Sequence, residues 1–154
     1  MTDSANQITI GVEQATTTGD IGSATVSGSL AGTFVQKAGT AYEIDFVADS
    51  EQNKITTEYT SNSVIDETVT VSYTLSIDWA EGKALPSGVK VEANSISPVT
   101  EVVSDASKTY TITMSNEWFN ISGELNTKAR YDDFVKAVTG ATFKLTVDVT
   151  ATAE

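Results

Sequence analysis

Residues 68–79, TVTVSYTLSIDW, alternate apolar and polar side chains without a break. Val69, Val71, Tyr73, Leu75, Ile77 and Trp79 fall on one side; Thr70, Ser72, Thr74, Ser76 and Asp78 fall on the other. A period of two sustained over that length describes a long β-strand with one buried and one wet face. One apolar face needs a second layer to cover it, so this segment commits the chain to a β-rich, layered fold.

The remaining sequence supplies that layer. Tyr42, Ile44 and Phe46 share a face of AYEIDFVA, Tyr110, Ile112 and Met114 share one of TYTITM, and Phe143, Leu145, Val147 and Val149 share one of FKLTVDVTA. Weaker strands fit ATVSGSLAGTFV, KITTEYT and PVTEVV. The stretch AEGKALPSG, with Gly82, Pro86 and Gly88, is a loop by composition, and VKVEA resumes with Val89 and Val91 inward. Short alternating strands with regular turn signals predict an antiparallel β-sandwich, jelly-roll or immunoglobulin-like. One stretch breaks the pattern. Tyr131, Phe134, Val135 and Val138 follow helical spacing in NTKARYDDFVKAVTG, with Asn126 or Thr127 to cap the start and Gly140 the end. A single short helix is therefore expected before the last strand.

Composition narrows the chemistry. The 154 residues suit one domain, and threonine and serine crowd the polar positions, which favours pleated surfaces. A net charge of −12 disfavours binding to a phosphate backbone. With no cysteine and no histidine, thiolate chemistry, disulfides, Cys/His zinc sites and histidine triads are all excluded. No run of about 18 apolar residues is present to span a membrane. The start, MTDSANQITIG, has neither a basic region nor an apolar core of a leader. Either the protein is intracellular, or it is an exported, extracellular protein whose leader has been replaced by a start methionine; the Thr/Ser bias favours export.

Several residues are candidates for function. Ile8, Ile10 and Val12 alternate in QITIGV, and EQATTTGDIGS after them has the composition of a flexible connector. The chain divides on this basis into residues 1–22, an N-terminal strand and connector, and residues 23–154, the sandwich. The strand has two homes: its own sheet, or the open edge of a neighbouring copy, which is donor-strand exchange. Burying three such side chains contributes roughly 1.5–3 kcal/mol each before the entropy of ordering the segment is subtracted. Head-to-tail donation does not close on itself and so produces filaments. Trp118 and Phe119 lie together outside strict alternation, so one of them is a candidate exposed ring for stacking on a glycan. Asp49, Glu51 and Asn53 could offer oxygen ligands to calcium, as could Asp132 and Asp133 at the expected helix start, where they would also complement the helix dipole. A solvated turn and a helix end are the plainer readings of these acids, and no other cofactor is expected. No pair among the 21 acidic residues is singled out for acid–base catalysis, so no enzyme is expected. Asn120-Ile121-Ser122 is the one glycosylation sequon.

The succession GTAYEIDFVA, ETVTVSYTLSIDW, ALPSGVKVE, KTYTITMSNEWF and TFKLTVDVTATA resembles the TasA/camelysin-like proteins of Gram-positive bacteria and related archaeal pilins. It covers about two-thirds of the chain as a pattern of strands and turns. The resemblance implies a jelly-roll-like sandwich, exported and assembled into extracellular fibres or biofilm matrix, with an N-terminal strand completing the sheet of the next subunit. Members of the family have been described as metallopeptidases, whereas this chain has no histidine to hold zinc. Self-assembly makes the partner a second copy. The alternatives are an adhesin or carbohydrate-binding module that recognises a glycan or cell-surface component, and a virion or phage-tail structural protein.

Overall fold

A computed structural model describes residues 7–15, 22–37, 39–40, 43–61, 66–82, 84–104 and 106–153. Tyr42 and most of the connector after the first strand, residues 16–21, lie outside the described residues. The elements run β1 (Gln7–Ala15), β2 (Ser23–Gln36), β3 (Ile44–Thr60), β4 (Glu67–Asp78), β5 (Lys90–Ala93), β6 (Val99–Val103), β7 (Ser107–Thr113), β8 (Phe119–Ser122), α1 (Lys128–Gly140) and β9 (Thr142–Ala153). The fold is all-β with one short helix directly before the last strand.

Seven strands form a single sheet in the order β6-β4-β9-β1-β2-β3-β7, and β5 and β8 make a separate two-stranded sheet. The expected antiparallel arrangement needs one correction: the large sheet is mixed, because β1 runs parallel to β9. The path of the chain explains it. β9 enters after α1 and lies antiparallel to β4 along its whole length, from Glu67↔Ala153 to Asp78↔Thr142, and that direction leaves it parallel to β1. Within β1 the partner changes at Ile10. Gln7–Ile10 pair with Leu30–Thr33 of β2, and Ile10–Ala15 pair with Phe143–Asp148 of β9. The end strands β6 and β7 follow one another in the chain, and Lys108 Nζ meets Glu101 Oε2 between them at 3.3 Å. The sheet thus curls until its two edges nearly meet, giving an almost barrel-like shape.

The core follows the alternation in sequence. Phe143, Leu145, Val147, Val149 and Ala151 of β9 are buried without exception. On β4 the pattern weakens. Val69, Val71 and Tyr73 are buried, but Leu75, Ile77 and Trp79 are only half-buried, where the second half of the strand runs beside β5. All five phenylalanines gather in one cluster. Phe34 lies 5.4 Å from Phe46 and 5.5 Å from Phe134, and Phe119 lies 4.9 Å from Phe46 and 5.6 Å from Phe143, centroid to centroid. Gly32 makes room for this cluster, since a side chain there would run into the Phe46 ring.

Helix α1 covers that end with Phe134, Ala137 and Val138. Thr127 is its N-cap, its Oγ1 accepting the N–H of Arg130 at 3.2 Å. Gly140 is the last helical residue rather than a residue beyond the end. Asp132 and Asp133 fall past the first turn, because the helix begins at Lys128. Asp132 therefore pairs with Lys128 one turn back, at 2.7 Å, instead of sitting at the helix start.

Candidate functional site

The N-terminal strand is seated in the middle of its own sheet. Ile8 is 6% and Ile10 2% exposed, whereas Val12 is half-buried. Backbone bonding engages β1 on both edges, Glu13 pairs with Lys144 of β9 at 3.2 Å, and Gln14 Nε2 donates to the Ala24 carbonyl at 2.9 Å. A strand that completes another copy would have to leave this position and be replaced in kind.

A second feature is a groove of about 530 Å³ between β3 and β8. Its existence follows from how the strands pair. β7 bonds β3 only from Lys54 onward, with Met114 adding one bond to the Asn53 carbonyl at 2.6 Å. The first part of β3, Ile44–Val47, bonds β2 on one side and, among the described residues, no strand on the other. The Ala48 N–H faces this open edge and is taken up by Asn116 Oδ1 at 2.8 Å, so the backbone groups of Ile44 and Phe46 face the same way by alternation. β8 is bonded by β5 on one side only. Its link Asn94 N–H to the Trp118 carbonyl, 2.8 Å, sets the opposite phase, and Phe119 and Ile121 direct their backbone groups away from β5. Two open strand edges therefore border one groove, whose other lining residues are Asp45, Val47, Asn94, Asn116, Glu117 and Asn120.

Trp118 and Phe119 need correcting against the expectation of an exposed ring. They are 8% and 4% exposed, and Phe119 lines the groove only as part of the phenylalanine cluster. Burial of both is what an aromatic pair at the edge of a core achieves when the strand that follows, unrecognised in the sequence, turns Phe119 inward.

The acidic loop around Asp49 is also resolved. Leu30 pairs with Asn53 and Gly32 with Ala48, so residues 49–52 bulge opposite Ala31 alone. Asp49 Oδ1 closes that bulge by accepting the N–H groups of Glu51 at 2.7 Å and Gln52 at 2.9 Å, and these bonds hold its carboxyl below the usual range. Glu51 is exposed and Asn53 half-buried in the same bulge, while Asp132 and Asp133 belong to the distant helical segment of the chain. No group of three or more His, Cys, Asp or Glu able to hold a metal occurs among the described residues. Asn120 of the sequon is exposed on β8. No helix among the described residues is long and apolar enough to cross a membrane.

One buried polar constellation escapes a reading of candidates by residue type. Glu67 is 1% exposed. Its Oε2 accepts the Tyr59 hydroxyl at 3.1 Å and its Oε1 accepts the Ser61 hydroxyl, while the Tyr59 oxygen accepts the Gly22 N–H at 3.0 Å. Parity held the signal: Glu67 stands two residues before Val69, in the inward register of β4. Burial also raises the hydroxyl pKa of Tyr59 and Tyr73, and pushes that of Tyr110 up to about 12, with the Glu101 charge adding to the last. A scan against models of known families finds no match, and neither curated proteins nor solved structures yield one.

Proposed function

We propose that the chain is a non-catalytic, extracellular structural subunit that assembles with copies of itself into fibres, by exchange of the N-terminal strand β1. The observation that carries this reading is the double engagement of β1. A terminal strand bonded on both edges, with Ile8 and Ile10 in the core, leaves a slot on departure that is flanked by β2 and β9. The same segment from a second copy refills it with the same bonds and the same apolar contacts, so exchange costs little enthalpy and gains a link between subunits. The partner switch at Ile10 divides the strand order into β6-β4-β9-β1 and β1-β2-β3-β7, a division in keeping with the two sheets of a jelly-roll-like sandwich as the finer architecture. Threonine and serine on the wet faces support an extracellular setting.

The chain has no cysteine of its own, which makes the test direct. Glu13→Cys and Thr146→Cys place thiols at directly paired positions of β1 and β9. The two single variants are mixed, aged at high concentration, oxidised, and viewed by negative-stain electron microscopy. Exchange yields filaments and covalent Glu13→Cys/Thr146→Cys heterodimers. Monodisperse particles with no heterodimer would sink the proposal.

A second reading, an adhesin or glycan-binding module, draws on the groove between β3 and β8, where Asp45, Asn120 and Glu117 offer hydrogen-bonding groups. A glycan bound by wild type and lost in Asn120→Ala, without any assembly, would select it.

A further inference from the structure

The groove beside β3 is bordered by main chain. Ile44 and Phe46 of β3, and Phe119 and Ile121 of β8, turn their backbone N–H and C=O groups toward it. No strand bonds these groups on that side among the described residues. A row of donors and acceptors on an open edge is matched by one kind of ligand, an extended polypeptide that adds as a further strand. The end of the row shows the same demand: Asn116 Oδ1 accepts the Ala48 N–H at 2.8 Å, where a neighbouring strand would offer a carbonyl. The volume of about 530 Å³ lies within the range of ligand-binding clefts, roughly 300–1,000 Å³.

Side chains and charge narrow the ligand further. The Phe46 and Phe119 rings, both buried and 4.9 Å apart, fill the inner side, so inward residues of an added strand must be small. Its outward residues lie beside Asp45, Val47 and Asn120, all exposed. Among the described residues lining the groove only Asp45 and Glu117 are charged, and neither pairs with a cation of the described chain. An adjoining hollow of about 130 Å³ adds Lys37 and Glu43, which offset one another. The whole chain carries −12, which disfavours a second copy here and favours a cationic segment.

We propose that this groove binds an extended basic segment of another protein. The segment adds as a strand along Ile44–Val47, with lysine or arginine outward and small residues inward. Main-chain bonds supply the affinity, and Asp45 and Glu117 select the charge. Exchange of β1 uses the slot between β2 and β9, whereas this edge lies on the far side of β3, so the two can hold or fail separately.

The probe is a fluorescein-labelled peptide that alternates lysine with serine. It is titrated into the full chain by fluorescence anisotropy, and amide hydrogen exchange is followed by NMR. The expected result is binding, with slower exchange at the Ile44 and Phe46 amides. The same peptide with every backbone amide N-methylated keeps its charge but loses its donors, and should bind at least roughly tenfold more weakly. Asp45→Asn combined with Glu117→Gln changes two exposed positions and should weaken the unmodified peptide roughly fivefold, the worth of two exposed ion pairs. No binding, equal binding of the methylated peptide, an unchanged affinity in the double variant, or protection confined to residues away from β3 overturns the proposal. So does a neutral glycan that shifts the Ile44 and Phe46 resonances where the peptide does not, which would assign the groove to carbohydrate. None of these readouts depends on whether filaments form.

Discussion

The two ends of the interior are built from different aromatics. At one end all five phenylalanines interlock, with edge-to-face and tilted contacts between 4.9 and 6.4 Å, under α1. At the other, three tyrosines, Thr57 and Glu67 bring polar tips into an equally buried space. The strands are the same ones throughout: β3 carries Phe46 in its first half and Thr57 and Tyr59 in its second, β4 runs from Glu67 to Ile77, and β9 from Phe143 to Ala151. Burial alone therefore does not distinguish the ends. What differs is direction: ring packing tolerates small shifts, whereas a buried hydroxyl or carboxylate has to find a partner at a fixed angle. The phenylalanine end supplies most of the cohesion, and the tyrosine end specifies how the β4 wall sits against the β3–β7 wall.

The largest effect is expected from Phe34→Ala. Phe34 is fully buried and touches four other rings, so truncation removes both transfer energy and ring contacts and leaves a cavity. The expected loss is about 3–5 kcal/mol of unfolding free energy in urea titration. A loss under about 1 kcal/mol would mean that this cluster collapses freely and does not hold its end together. A smaller loss, about 1–3 kcal/mol, is expected for Glu67→Leu, which strips the Tyr59 hydroxyl of its carboxylate acceptor at similar bulk. Glu67→Gln retains an acceptor oxygen and should cost clearly less than Glu67→Leu. Equal costs would show that charge rather than hydrogen bonding matters at this end.

The contrast between the ends also explains what could be read from the sequence. Alternation is a local property, so the strands around Val69–Tyr73 and Phe143–Val149, and the stripe Tyr131, Phe134, Val138 of the helix, were legible from spacing alone. Pairing is not local. Nothing in QITIGV announces that Ile10 changes partner from β2 to β9, or that the second pairing is parallel, because that follows from where α1 delivers β9. The groove is equally invisible, since it arises where β7 stops covering β3. The four-residue strand FNIS has no room for a period to show, so Phe119 and Trp118 were open to being read as surface rings. Glu67 was hidden by its type: a carboxylate at the head of a strand is ordinarily wet, and only its register, shared with Val69 and Val71, betrays it.

Alkaline pH separates the two ends without changing the core packing at either. In the folded protein the Tyr110 hydroxyl titrates at about 12 against an ordinary 10.0, and burial moves Tyr59 and Tyr73 in the same direction. Between those values the unfolded chain has released protons that the folded one still holds, so stability falls as pH rises through the window and is complete below it. Each unit of displacement corresponds to about 1.4 kcal/mol. Urea midpoints measured from about pH 9 to about pH 12 should therefore decline in the wild type and decline less in Tyr110→Phe, which has lost the group pushed furthest. Phe34→Ala should start lower but keep the wild-type slope, because none of the three tyrosines with raised pKa is among the residues whose rings meet Phe34. Parallel slopes for wild type and Tyr110→Phe would place the alkaline sensitivity elsewhere. A shallower slope in Phe34→Ala would show that the two ends are coupled, and that loosening the rings lets water reach the tyrosines.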